Sequence, residues 1–277
     1  VLFHLRYHAQ SKGYGPLDLD VLTGLSGGQR LLLVSHCAQL LGQIAKPGGR
    51  PPALGLYKSV AMVVCMMRKN PTQQMAGAIF GASQSTVSRR WDLLRPIIKR
   101  AVASFIPHPR EILGRGTALV DGTITPTWDW KHIPDLFSAK AGYPGMNVQI
   151  ASSTDGRIAA IGPQAVHGAR HDAHAFEASG LRDIMEGISA IGDLGYVGVE
   201  GIEIVPVKRA PKCELRPCDK QFNTSVAKIR ALNEQAVAHF KSWRMMSEEG
   251  GRYRAPINKF EETLQAIIGL IFFRAFA

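Results

Sequence analysis

Residues 147–163, NVQIASSTDGRIAAIGP, set two β-rich runs on either side of Asp155-Gly156. An Asp-Gly pair between such runs is the strongest short signal for a hairpin, because its backbone accepts the positive φ of a tight turn. A lone hairpin is marginal in water, and the chain supplies further strands on both sides of it. Upstream, Ala118-Leu119-Val120 is a short buried strand expected to stop in the turn Asp121-Gly122. Downstream, Ile188-Ser189-Ala190-Ile191-Gly192 is another, stopping at Asp193, and Ile202–Val207 is a fifth. Asp172–Ile188 reads as a helix, as do residues 222–246 and 258–276. The order strand, hairpin, helix, strand, strand, helix predicts an α/β fold with a mixed sheet flanked by helices.

Ahead of the sheet the pattern is helical, from Leu54 to Phe105, and Pro107 and Pro109 close that unit. Pro47-Gly48-Gly49-Arg50-Pro51-Pro52 breaks any helix before it. The expected division is an N-terminal segment and linker at 1–53, a helical domain at 54–110 and the sheet domain at 111–277. Within the helical part, TQQMAGAIFGASQSTVSRRWDLLR at 72–95 is a helix-turn-helix candidate, with Gly77 inside the first helix and Gly81 at the turn. Met75, Ile79 and Phe80 are expected to share a small core with Val87, Trp91 and Leu94. Ser83 would cap the second helix, leaving Gln84, Ser85, Thr86, Ser88, Arg89 and Arg90 outward, as residue types that read base edges and phosphates. The alternative is an αα-hairpin with a solvated basic face.

The chain has 277 residues, 45% of them hydrophobic and 20% charged, a composition that buries a core and excludes a disordered chain. Its formal charge of +11 points to a polyanionic partner. Net charge does not separate nucleic acid from an anionic membrane, but the apolar runs Val60–Met67 and Ile267–Phe273 fall far short of the ~20 residues of a span. Four cysteines make no disulfide framework at this length, which suits a reducing cytoplasm. A cytoplasmic, nucleoid-associated protein is the expectation.

Asp121 and Asp193 end apolar strands, where open α/β sheets gather ligands and chemistry. If those strands are neighbours the carboxylates converge, and two hard oxygen ligands side by side call for a divalent cation. The alternative is that each is a turn former. On the 222–246 helix, Arg230 and Lys241 lie about 40° and 20° from Glu234, so all three share a narrow stripe. A surface i,i+4 pair of Arg230 with Glu234, contributing only about 0.2–0.5 kcal/mol, is the structural alternative.

LVDGT at 119–123, GDLGY at 192–196 and the spacing Arg230-x3-Glu234-x6-Lys241 together resemble the DDE transposases of bacterial insertion sequences, the DDE superfamily endonuclease group related to Harbinger-type nucleases. The resemblance covers about 55–277. The family's signature places a tyrosine three residues before the arginine, and here that position is Ala227. The resemblance implies an RNase H-like fold in which Asp121, Asp193 and Glu234 bind two divalent ions, Mg²⁺ or Mn²⁺, while Arg230 and Lys241 hold DNA phosphates. It implies double-stranded DNA, as transposon ends and as target, for a partner, and a homodimer that holds two ends. His167-Gly168-x2-His171-Asp172 also resembles a family segment, making Asp172 a rival metal-site carboxylate; its alternative role is a helix cap or first-turn acid. The implied activity is metal-dependent DNA cleavage and strand transfer. The alternatives are an inactive or repurposed transposase-derived DNA-binding protein, and a nuclease that cuts without joining.

Overall fold

The structure, a computed structural model, describes residues 17–42, 54–128 and 132–277. The proline- and glycine-rich break at 47–52 lies outside the described residues.

The N-terminal part is helical: α1 (Leu19–Thr23), α2 (Gly27–Gly42), α3 (Leu56–Lys69), α4 (Gln73–Phe80) and α5 (Gln84–Val102). Thr72 caps α4 and Ser83 caps α5, each side-chain oxygen accepting from a first-turn backbone N–H. Between them Gly81 takes φ 71°, which ends α4. At Gly77 any Cβ would collide with the Ala82 carbonyl oxygen, so only glycine lets the turn fold back on α4. Phe80, Val87, Trp91 and Leu94 are buried as expected and Ile79 is half-buried. Met75 is exposed, contrary to the expectation. The contact face of α4 runs through Ala76, Gly77 and Phe80, one residue out of phase, because close crossing of the helices favours small side chains.

After α6 (Pro109–Leu113) come β1 (Ala118–Pro126), β2 (Phe137–Ser138), β3 (Tyr143–Ser152), β4 (Ile158–Ile161) and β5 (Val166–His167). Then follow α7 (Asp172–Ala178), α8 (Leu181–Ile184), β6 (Ala190–Ile191), β7 (Ile202–Ile204), α9 (Pro217–Arg230), α10 (Asn233–Lys241) and α11 (Phe260–Phe276). The sheet order is β2-β3-β1-β6-β7, with β4 and β5 also on β3. β1, β3 and β4 are antiparallel neighbours, whereas β1, β6 and β7 run parallel. This mixed sheet with helices on its faces is the RNase H-like arrangement.

Five elements differ from the sequence reading. β1 does not stop at Asp121-Gly122 but runs on to Pro126, paired with β3 throughout; Gly122 is a strand residue kept small by what stands over it. The helix expected over 172–188 is broken where Gly180 takes φ 75°. The helix expected over 222–246 starts earlier, with Pro217 at its first position, and breaks after Arg230 before resuming at Asn233. There the buried Asn233 side chain accepts a 2.6 Å hydrogen bond from Ser152 Oγ, which fixes the start of α10 to β3. The strands expected at 188–192 and 202–207 shrink to Ala190–Ile191 and Ile202–Ile204.

One core runs from α3 and α5 through α11 to Met146, Val148 and Ile150 of β3 and Phe240 of α10. α11 crosses α5 at Gly269, where a Cβ would overlap Val102, and Arg95 of α5 pairs with Glu262 at 2.7 Å. The opposite sheet face packs Val120, Ala151, Ala160, Phe176 and Tyr196 together.

Candidate active site

The parallel pairing of β1 with β6 sets Leu119 opposite Ile191. Two residues on, along each chain and on the same face by strand alternation, come Asp121 and Asp193. Val226 of α9 closes over Leu119 and Ile191 as a small apolar cluster. One turn later on that helix face stands Arg230, whose Nη2 lies 3.4 Å from Asp121 Oδ2 and 3.8 Å from Asp193 Oδ2. The two aspartates thus face a single guanidinium.

Burial pushes the Asp121 carboxyl above its usual range; Arg230 opposes the shift, and the charges of Asp193 and Asp172 add to it. Backbone donors are aimed at both groups: Gly122 N–H to Asp121 Oδ1 at 2.9 Å and Gly195 N–H to Asp193 Oδ1 at 2.7 Å.

Asp172 opens α7, but the cap is His171, whose Nδ1 accepts from His174 N–H at 3.2 Å. The Asp172 carboxylate lies over Gly122, where an added Cβ would collide with its Oδ1. Gly122 points to the face opposite Asp121, so Asp172 approaches the centre from the other side of the sheet. Its Oδ1 accepts from Asn147 Nδ2 at 3.0 Å and Gln149 Nε2 at 3.4 Å, and its Oδ2 from Lys140 Nζ at 3.4 Å. Asp172 chiefly, then Asp193 and Asp121, favour the charged form of Lys140 and raise its pKa. Tyr196 donates to Gln149 Oε1 at 2.5 Å; burial, with the three carboxylates behind it, drives its hydroxyl well above the usual range. Sequence reading passed over Lys140, Asn147 and Gln149. The last two did leave a signal, as polar residues two apart in an otherwise apolar strand.

The remaining expected residues lie elsewhere. Glu234 is exposed in the first turn of α10, a helix that packs on β1 and β3. Its side chain makes no hydrogen bond or ion pair among the described residues. Lys241 closes the last turn of α10. On α5, Gln84, Ser85 and Arg89 are exposed, while Thr86, Ser88 and Arg90 are half-buried. Arg89 Nε donates to Ser85 O at 3.2 Å.

Whether a divalent ion suits this centre is answered by what Asp121 and Asp193 already hold: a positive charge between two hard oxygen ligands. The donor chemistry fits. Among the described residues no three His, Cys, Asp or Glu side chains are gathered closely enough to cage an ion, so the fit rests on the aspartate pair.

The paired aspartates thus stand just beyond the central parallel register of an RNase H-like sheet. Residues 120–271 match the DDE superfamily endonuclease family, and the chain belongs to it. A protein of Streptomyces albus G named as a transposase for insertion sequence element IS112 is 29% identical over 201 residues, covering 72% of this chain and 74% of its own. A protein of Microchaete diplosiphon named as a transposase for insertion sequence element IS702 is 25% identical over 234 residues, covering 81% of this chain and 83% of its own. No solved structure is matched. No helix among the described residues is long and apolar enough to cross a membrane.

Proposed function

We infer that the protein is an insertion-sequence transposase, a metal-dependent DNA endonuclease and strand transferase acting on the ends of its element. The observation that carries this reading is the Leu119–Ile191 register, which sets Asp121 beside Asp193 with Arg230 between them. Asp121 and Asp193 would hold divalent ions, Mg²⁺ or Mn²⁺, with Glu234 as the third carboxylate from the same sheet face. Bound ions in such a centre supply an activated nucleophile and neutralise the leaving oxygen of an in-line phosphodiester displacement. Arg230, freed from the aspartates, would hold a DNA phosphate. Asp172, tethered by Asn147 and Lys140, orients the centre from behind. Residues 54–110, with the outward face of α5, serve as the DNA-binding part and 111–277 as the catalytic part. A homodimer would bring two ends together. The test is nicking of supercoiled plasmid by the purified protein with and without Mg²⁺, followed by joining of a 3′-hydroxyl donor end to a target. Metal-independent nicking, or none, sinks the reading; nicking without joining reduces it to a nuclease.

A further inference from the structure

At the far end of α10 from the aspartates lies a cleft of about 840 Å³, lined by Arg68 and Lys69 of α3, Lys241 and Ser242, and Arg244 beyond them. Its cations come from the helical part and from the catalytic part, far apart in sequence. Arg68 is fixed in place: Nη1 donates to Ser242 Oγ at 2.6 Å, and the guanidinium carbon sits 5.2 Å from the centroid of the Trp243 ring. None of Arg68, Lys69, Lys241 and Arg244 pairs with a carboxylate among the described residues. Of the two lining acids, Glu248 is already engaged by Arg252 at 3.4 Å, leaving Glu249.

The bland explanation is that α3 and α10 end here and that cations gather at helix C-termini. Each helix end carries only about half a negative charge. Two ends and Glu249 therefore leave about two positive charges uncompensated. The strain is visible at Arg68, whose pKa is lowered by burial and by the nearby charges of Arg274 and Arg244. The walls are nevertheless held: Asn70, the left-handed cap of α3 at φ 51°, donates to Gly250 O at 2.8 Å and Arg252 O at 2.9 Å. A cleft that concentrates unpaired cations in a fixed frame is built for an anion.

We propose that this cleft binds the phosphodiester backbone of DNA, with Arg68, Lys69 and Arg244 as phosphate contacts beside Lys241, so that both parts of the chain grip one duplex. The inference rests on the reading of the protein as a DNA-cutting enzyme. The aspartate centre and the cleft are joined by one helix: α10, which begins three residues after Arg230 and ends at the cleft, has nine residues and so spans about 13 Å, the length of about four nucleotides of one strand at ~3.4 Å each.

The test uses the full chain with Lys69→Ala and Arg244→Ala combined, since both side chains are exposed and a folded product is checked by its thermal melt. Binding to a fluorescent duplex is measured from 0.05 to 1 M salt. Two lost phosphate contacts should lower the slope of log affinity against log salt by roughly 1.8, with affinity about tenfold or more below wild type near 0.1 M and converging at high salt. An unchanged slope and affinity, in a protein whose wild type binds the duplex and whose Arg89→Ala variant binds it less, overturns the cleft alone. A wild type that binds no duplex at all overturns the DNA reading and the cleft with it.

Discussion

Arg230 Nη2 on α9 stands 3.4 Å from Asp121 Oδ2 on β1, and the contact is set one helical turn below by Val226 closing over Leu119 and Ile191. The arginine is a cation shared by two neighbouring carboxylates. Arg230→Gln should therefore leave Asp121 and Asp193 repelling each other, and lower the melting temperature in metal-free buffer. Added Mg²⁺ or Mn²⁺ should restore more stability to the variant than it adds to wild type, since a ligand of the folded state stabilises in proportion to its occupancy. Equal metal-induced shifts in both proteins would show that the arginine and the metal do not share this place.

Asp121 gives a prediction whose sign depends on pH. Its carboxyl is raised by burial first, so the folded state favours the protonated form. Its contribution is then fully present below the unfolded carboxylate pKa of about 3.9 and is lost as pH rises through the higher folded value. Asp121→Asn should accordingly melt higher than wild type at pH 7, and the difference should shrink as pH falls toward about 4. Cleavage should be lost in the same variant. A lower melting temperature at neutral pH would mean that the pair with Arg230 outweighs burial.

Much of this was legible in the sequence, for identifiable reasons. The hairpin follows from Asp155-Gly156, and the tight turn between α4 and α5 from Gly77, Gly81 and Ser83, because local backbone chemistry decides those features. The pairing of Asp121 with Asp193 followed from two short apolar runs each leading into an acid, although β1 itself continues past Asp121 to Pro126. What escaped were effects of partners distant in sequence. Gly122 reads as a turn residue until Asp172 and Gln149 are seen over it. The helix over 222–246 looks continuous until Asn233 is fixed by Ser152. Lys140, in the turn before β3, has nothing local to mark it as a neighbour of three carboxylates.

Gly122→Ala isolates one such effect. The added methyl would collide with Asp172 Oδ1 and sit 2.5 Å from Gln149 Nε2, so the bonded Asp172 and Gln149 side chains must give way, or the strand must. Overpacking of this kind typically costs about 1–3 kcal/mol. Urea unfolding should register that loss, and cleavage should fall with it. An alanine tolerated within a few tenths of a kcal/mol would mean that Asp172 moves aside freely and is not a fixed support.

Gly269→Ala probes the crossing that joins the helical part to the catalytic part. A Cβ there overlaps Val102, in a stretch of α11 that is buried from Ala266 to Phe273. The variant should lose about 1–3 kcal/mol, and Val102→Ala placed with it should restore part of the loss, because the second change makes the space. A double-mutant cycle on chemical unfolding reads that coupling directly; additive losses would place the strain elsewhere.

Glu234 and Asp172 compete for the role of third carboxylate, and strand alternation separates them. Asp121 shares a sheet face with Ile150, its partner in the β1–β3 register, and Ile150 packs in the core that includes Ala236 and Phe240 of α10. Glu234, at the start of that helix, therefore approaches from the face that carries Asp121. Asp172 stands over Gly122 on the opposite face, already bonded to Asn147 and Lys140. Glu234 is exposed and makes no side-chain bond among the described residues, so Glu234→Gln should leave the melting temperature within about 1 °C while abolishing cleavage. Asp172→Asn should do the reverse: lower stability through the lost Lys140 pair and reduce cleavage only in part, with recovery at higher metal concentration. Parallel melts and metal titrations of the two variants decide the matter. Full activity in Glu234→Gln, with a loss in Asp172→Asn as deep as in Asp193→Asn, would hand the third position to Asp172.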